Sequence, residues 1–463
     1  MPSRQDQLHS YQFTIQRAVA ALVMRDTDPA QSPFRRLAGA ALASVLVAAI
    51  GLGGFALYGL FAGGSTKWRD EGAVIVEKES GARFVYREQK LHPVLNYASA
   101  LLIIGAEQPR TILVARRSID GVPRGLPLGI ADAPDSLPAP DRLSTAAWTV
   151  CSVDPAGDDR SGPRSALLIG VDPPDGRQLG DDGLLLRHPD GSLHLLWRHR
   201  RYLVRDPDRV LAALAATRAR AVPVAPALLN SIPAGADLVP PALPELGRAS
   251  ARVSGATVGD VYLVRNSGGG RQYAVVDTDG LAGITELQAS LLLARTGQGE
   301  PESMTLGRFA DLPKLPDLTP TGPSAPPPAP PRLVTPDGGG LCARVADDSG
   351  VRDLRHGVTV PDLGTAPRTD DRRGVRADHV VVEPGRGAVV ESSAAPGATG
   401  GAVSVITDLG RRYVLADGEV LGMLGYRGVR PLRLPAGLVS LVPAGSPLEP
   451  AAARAVAAPS TDR

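Results

Sequence analysis

Lysine is scarce in this chain: Lys67, Lys78, Lys90 and Lys314 are the only four among 463 residues. None follows a glycine, so there is no G-x-x-x-x-G-K-[ST] phosphate loop, and Walker-type nucleotide hydrolysis is excluded on sequence. Cysteine is scarcer still. Cys151 and Cys342 are the only two, which excludes a disulfide-dense scaffold and a multi-cysteine zinc site. Neither H-E-x-x-H nor G-x-S-x-G occurs. An excess of one charge sign is also missing: 50 Lys+Arg against 48 Asp+Glu leave +2, without the basic surplus of a nucleic-acid binder. What is present is ordinary for a folded protein, with 43% hydrophobic and 21% charged residues, and 52 Gly and 43 Pro implying many turns. The length suits two or three packing units.

The remaining candidates for chemistry are weak. His188, His194 and His199 cluster with Arg187, Arg198, Arg200 and Arg201, and neighbouring cations oppose a bound metal ion. The run RHRR reads as a solvated face, with a contact to anionic lipid or cell-wall polymer as the sharper reading. The glycines at 268–270 are followed by a β-type run and not by a helix N-terminus, so they mark a hairpin turn and not a phosphate cradle. Carboxylate pairs are too numerous to single out a glycosidase dyad. No catalytic, cofactor-binding or metal-ligating residue is expected.

One stretch dominates. Residues 37–62 carry no charge over 26 positions, which as a helix span about 39 Å against a hydrocarbon core of about 30 Å. A signal peptide would have a shorter apolar core nearer the start, so an uncleaved anchor is expected. Arg4, Arg17, Arg25, Arg35 and Arg36 precede it, while Lys67 and Arg69 are the nearest cations after it. The positive-inside rule then puts the N-terminus in the cytoplasm and the body outside. No comparable apolar run follows, so the chain is expected to be single-pass and resident in the cell membrane.

Residues 1–36 are too few for a core. Tyr11, Ile15, Val19 and Leu22 fall on one helical face. Two readings stand for that face: docking on a partner, or lying on the membrane surface. Beyond the anchor, four segments share strand, tight turn, strand and helix: residues 72–104, 183–218, 255–297 and 399–428. Their turns carry SG, DG, GGG and LG, where glycine supplies positive φ. A hairpin alone buries too little, so each helix should cover its own hairpin.

Between the repeats lie two β-type blocks, residues 105–180 and 340–395, expected to form the halves of a central antiparallel unit. The first includes TILVA at 111–115, and the second includes HVVVEPGRGAVVE at 379–391. Residues 219–250 are expected to be extended, 311–336 a Pro-rich spacer, and 447–463 a mobile tail. The fold class is thus α+β: one N-terminal transmembrane helix, then four β-hairpin-plus-helix repeats around a central β-rich unit. Each block holds one cysteine, on the side of the membrane where disulfides persist, so a Cys151–Cys342 bond is expected over two separate buried thiols.

The segments QLHSYQFTIQRAVAALVMRDTDP (7–29), LHPVLNYASALLI (91–103) and LLNSIPAGADLVPPALPELG (228–247), with the single anchor, carry a resemblance. The chain resembles the EccB family, a membrane component of the type VII (ESX) secretion system of actinobacteria. The resemblance implies a cytoplasmic N-terminus, an exterior domain of four repeats around a central unit, and a cysteine pair in contexts matched by Cys151 and Cys342. It implies assembly with the EccC motor ATPase, EccD and EccE, an attached mycosin protease, homo-oligomers and passage of exported proteins. Some members are labelled ATPases; this sequence has no motif for that. The function expected is a structural subunit of the export channel, with no cofactor. The rivals are a membrane-anchored cell-envelope enzyme or ATPase, and a cell-wall-binding module.

Overall fold

The computed structural model describes residues 3–24, 33–62, 68–154, 162–173, 175–336, 338–361 and 374–457. Two helices come first, Arg4–Met24 and Pro33–Ala62. Proline opens the second at a position where its missing N–H costs nothing.

The repeats are larger than hairpins. Each is a four-stranded sheet of one topology. In the first, Ala73–Glu77, Arg83–Arg87 and Lys90–Pro93 form an antiparallel meander. The helix Tyr97–Ile104 then crosses over, and Arg110–Val114 returns parallel to the first strand. Asn96 caps that helix through its side chain and Gly105 ends it in the left-handed conformation. The second repeat uses Leu184–Arg187, Leu193–Trp197, Arg200–Leu203, the helix Pro207–Ala213 and Val222–Pro223. The third uses Val261–Arg265, Arg271–Asp277, Gly280–Ile284, the helix Glu286–Thr296 and Glu302–Met304. The fourth uses Ala388–Ser393, Val403–Ile406, Arg412–Val414, the helix Glu419–Met423 and Leu432–Pro435.

These pairings move several boundaries. TILVA belongs to the first repeat and not to the central unit, because Ile112 pairs with Ile75. The fourth repeat begins at Ala388–Ser393, one strand earlier than the hairpin pattern suggests. Residues 219–250 are not merely extended, since they supply the fourth strand and a short helix, Pro226–Ser231, of the second repeat. The central sheet has six strands in the order His379–Val382, Arg164–Ile169, Trp148–Val153, Gly340–Asp347, Gly350–Val358 and Arg177–Gln178.

After the short helix that follows its fourth strand, every repeat closes with the same strap, P-x-[GL]-x-x-L. The third-strand residues Leu91, Arg201, Leu281 and Arg412 donate their amides to the carbonyls of Pro123, Pro233, Pro313 and Pro443. Their own carbonyls accept from the amides of Gly125, Gly235, Leu315 and Gly445. The glycines are there for space. A Cβ on Gly125 would overlap the His92 ring, one on Gly235 the Tyr202 ring, and one on Gly445 the Tyr413 ring. In the third repeat the sizes are exchanged: the ring position is Ala282 and the strap residue is Leu315. The volume is conserved across the pair and not at either residue.

Two segments expected to be loose are packed. The Pro-rich stretch has no long strand, yet Leu287 donates its amide to the Pro328 carbonyl and the Tyr202 hydroxyl donates to the Ala325 carbonyl at 2.9 Å. It straps the third repeat to the second. Of the 447–463 tail, the helix Pro450–Arg454 packs on Tyr97–Ile104, burying Ala453. Val456 then bridges Leu128, and Ala457 donates its amide to the Pro127 carbonyl. Residues 458–463 lie outside the described residues.

The cores define the neighbours. Repeats one and four share one apolar cluster, which contains Val74, Leu102, Val405, Tyr413 and Ala453. Repeats two and three share another through Leu185, Val210, Leu287 and Leu291. The largest cluster joins repeats two and four to the central sheet through Trp148, Leu186, Leu228, Leu434 and Leu438. The contact order is therefore one, four, central unit, two, three. The exchanged pair of the third repeat predicts that Gly445→Leu alone costs about 2–3 kcal/mol through overlap with the Tyr413 ring. Adding Tyr413→Ala should return part of that loss. Denaturant unfolding of both variants measures it, and a double variant no better than the single would refute the exchange.

Candidate functional site: leader helix, span and clasp

The leader helix starts on a reciprocal cap. Asp6 donates its amide to Ser3 Oγ at 3.3 Å, and Ser3 donates its amide to Asp6 Oδ2 at 3.1 Å. The two Ser3 hydrogen bonds hold the Asp6 carboxyl below its ordinary range. Of the sequence-predicted stripe, Tyr11, Ile15 and Leu22 are exposed and Val19 is partly covered. Leu8, not singled out by sequence, extends the same face at 55% exposure, and its i−3 spacing from Tyr11 is the signal that finds it. Phe13 lies on another face, under the Arg17 guanidinium 5.7 Å from its ring centre. An apolar face this exposed on a short helix calls for cover.

The second helix contains one stretch, Ala38–Ala56, long and apolar enough to cross a membrane, and 0% of it is buried in the fold. Leu42, Val45, Ile50 and Phe55 stand free on all sides. The one hydroxyl of Ala38–Ala56, Ser44, donates back to the Ala40 carbonyl at 2.9 Å and so needs no outside partner.

In the central sheet the two cysteines face each other. Cys342 is the register partner of Cys151 on the adjacent antiparallel strand, with Cα atoms 4.0 Å apart, and the two are disulfide-bonded. Strand alternation places the bond on the face opposite the main core: Val150, Leu167 and Ala343 point into the core, while Cys151, Leu168 and Cys342 form a small separate cluster. The bond joins halves of the sheet 191 residues apart in sequence.

The ends of the body differ from its middle. Repeats two and four bury their outer faces on the central sheet with short apolar helices, Pro226–Ser231 and Ala436–Val439. At the same position repeat one has Arg116–Ile119, in which only Ile119 is buried, and repeat three has Leu306–Asp311, in which only Phe309 is partly buried. Their outer faces are closed from within. Trp68 covers repeat one beside Ile75, Phe84 and Ile119. Val253, Ala256 and Phe309 cover repeat three.

The histidine–arginine cluster is committed to structure. Arg198 and His199 both adopt positive φ in a tight turn between strands, and Arg198 pairs with Asp181 at 2.6 Å. Arg200 and Arg201 donate to the carbonyls of Ala234 and Ile232. The run is therefore a turn and its anchors, not a free cationic face. His188 pairs with Asp190 at 2.9 Å. His194 is buried, with Nε2 near Ser192 Oγ at 3.3 Å and Nδ1 without a partner. Burial, aided by Arg201, pushes its pKa down to about 4. Among the described residues no group of three or more metal-binding side chains comes together.

Known proteins share this arrangement. The family described as "Type VII secretion system ESX-1, transport TM domain B" matches residues 1–458. The ESX-3 secretion system ATPase EccB3 of Mycolicibacterium smegmatis is 28% identical over 469 residues, covering 96% of this chain and 88% of the relative. The ESX-2 secretion system ATPase EccB2 of Mycobacterium tuberculosis is 32% identical over 305 residues, 64% of this chain and 60% of the relative. A chain of the intact ESX-5 inner membrane complex superposes with a TM-score of 0.68 at 26% identity, covering 100% of this chain and 97% of that one. A chain of the EccB3 dimer from the ESX-3 core complex gives 0.64 at 27% identity, covering 83% and 100%.

Two outcomes follow from the site. Converting both cysteines to serine should lower stability by up to about 5 kcal/mol, because the closed loop is long; an unchanged denaturant midpoint would show that strand pairing alone holds the halves. His194 titrates near 6.5 when unfolded and about 4 when folded, so the unfolded state takes up the proton first. Its contribution is complete above pH 6.5 and is lost as pH falls towards 4, about 2–3 kcal/mol in all. His379, also pushed down by burial, adds the same sign. His194→Gln should flatten the acid slope; a parallel slope would remove His194 from the account.

Proposed function

The chain belongs to the EccB family of type VII (ESX) secretion components, and from that membership we propose that it is the single-pass scaffold subunit of an export complex in the inner membrane, with no chemistry of its own. The observation that carries this reading is the order of parts: an exposed apolar stripe, a bare apolar helix, and a body welded from four repeats and a clasped central sheet. The arginine-rich leader stays in the cytoplasm. There the stripe of Leu8, Tyr11, Ile15, Val19 and Leu22 docks on other membrane subunits. The partners are those the family resemblance implies: the EccC motor ATPase, EccD, EccE and a mycosin protease. The ESX-5 relative is part of an intact inner membrane complex, and the ESX-3 relative forms a dimer. This chain accordingly assembles with further copies of itself.

Relatives carry the word ATPase in their names. For this chain the non-catalytic reading is supported by where two of its four lysines go. Lys314 donates to the carbonyls of Phe309 and Leu312, and Lys90 opens a β-strand beside a hairpin turn. Neither adjoins a glycine loop leading into a helix, so at these two lysines a triphosphate finds no cradle of backbone amides.

Deleting residues 3–24 should abolish copurification of the other membrane subunits while the unfolding midpoint of the body stays unchanged. A complex that assembles normally without the leader would overturn the docking role. Tyr11→Asp with Ile15→Asp should give the same loss with the helix retained. Measurable ATP turnover by the purified full chain, removed by a point substitution, would instead favour the enzyme reading.

A further inference from the structure

The segment joining the apolar helix to the body is short. Five residues, 63–67, separate Ala62 from Trp68, and an extended chain of that length reaches about 20 Å at most. Trp68 is not on a tether, because it is buried at 3% exposure and its ring stands edge-on to Tyr86 with centroids 5.6 Å apart. Tyr86 directly precedes the hairpin turn Arg87–Lys90, in which Glu88 and Gln89 both have positive φ. The turn end of repeat one is thus held beside the start of the body, at most about 20 Å of chain from the end of the apolar helix.

The charges gathered there are unevenly used. Arg110 is neutralised by Asp70. Arg69 lies 5.2 Å from the Trp68 ring centre, and Arg69, Arg87 and Lys90 make no ion pair among the described residues. Glu71 and Glu88 are the opposing carboxylates in this stretch, and Lys67 precedes it in sequence. Three of the chain's four lysines, Lys67, Lys78 and Lys90, fall in the first repeat or just before it. The corresponding turn of repeat two is also basic, but Arg198, Arg200 and Arg201 are all occupied by protein acceptors. The turn of repeat one has cations to spare in the one place where connectivity brings it to a bilayer.

We propose that Arg69, Arg87 and Lys90, positioned by the buried Trp68, form a seat for the anionic phospholipid headgroups of the leaflet from which the apolar helix emerges. This rests on the reading of that helix as a membrane span. The headgroups complete the charge balance of the turn and fix the tilt of repeat one, and with it the body, against the membrane. Attraction of this kind falls off within a Debye length, so a short tether is required for it to act.

Hydrogen exchange of the full-length protein in lipid nanodiscs tests the seat. In discs with about 30% phosphatidylglycerol, the peptide covering the turn should exchange about threefold more slowly than in pure phosphatidylcholine discs. The difference should vanish at about 0.5 M NaCl and in the Arg69→Gln, Arg87→Gln, Lys90→Gln variant. Equal exchange in the two lipids would overturn the proposal, and so would equal slowing by free inorganic phosphate in phosphatidylcholine discs. Peptides from the apolar helix report separately on the span: their protection in both lipids preserves that reading even if the seat fails. Peptides from the central strand Trp148–Val153 report whether the variant is folded, and the lipid and salt comparisons on the unaltered chain stand without it.

Discussion

A four-stranded sheet with apolar side chains on both faces has to be covered twice, and each repeat brings only one crossover helix. That shortage organises the exterior body. Strand alternation in repeat one sends Val74 and Val85 towards the helix and Ile75 and Phe84 to the other side. Repeats two and four meet the need by burying the second face on the central sheet. Repeats one and three have no such neighbour and supply their own cover, Trp68 in one case and the Val253–Phe309 group in the other. The pairing of helices at the one–four and two–three junctions then covers the inner faces, in clusters that neighbouring repeats share. The spacing of the repeats in sequence is irregular because the central strands are threaded between them.

This accounts for what the sequence makes legible. Each meander declares itself by apolar runs flanking a glycine turn, as in VYLV and YAVV around residues 268–270. The fourth strands do not. Val222–Pro223 is two residues long, and Glu302–Met304 is three and begins with a charge. They become strands only because a parallel neighbour supplies partners after a crossover, which leaves no local pattern. The fourth repeat is misplaced for a related reason: His379–Val382 and Ala388–Ser393 flank the turn sequence EPGRG and read as one hairpin, whereas they pair into different sheets. The strap was readable, since a proline and a leucine recur at the same offsets in all four repeats. Its significance lies in the fit of ring against glycine, which only the folded chain reveals.

The candidate site was legible to a similar degree. The helical stripe of the leader and the apolar helix follow from periodicity and length, because both faces are meant for surroundings other than the body. The two cysteines follow from compartment and count, and the structure adds their face: the side of the central sheet away from the main core. There the bond reinforces strand pairing without displacing apolar packing. The basic turn of repeat two was readable as charged but not as occupied, since its acceptors, Asp181, Ala234 and Ile232, come from elsewhere in the sequence.

The polar ends have a consequence for assembly. Where repeats two and four present leucine and valine to the central sheet, repeat one presents Arg116, Arg117 and Ser118, and repeat three exposes only Leu306 as a large apolar side chain of its short helix. Repeat arrays with apolar ends stack without limit, and polar caps stop that growth. A body capped in this way is poorly suited to end-to-end stacking. Rigidity matters for such a part. Trp68 covers the outer face of repeat one, and the same residue begins the body after the span, so the cover of the first repeat sits where the body starts.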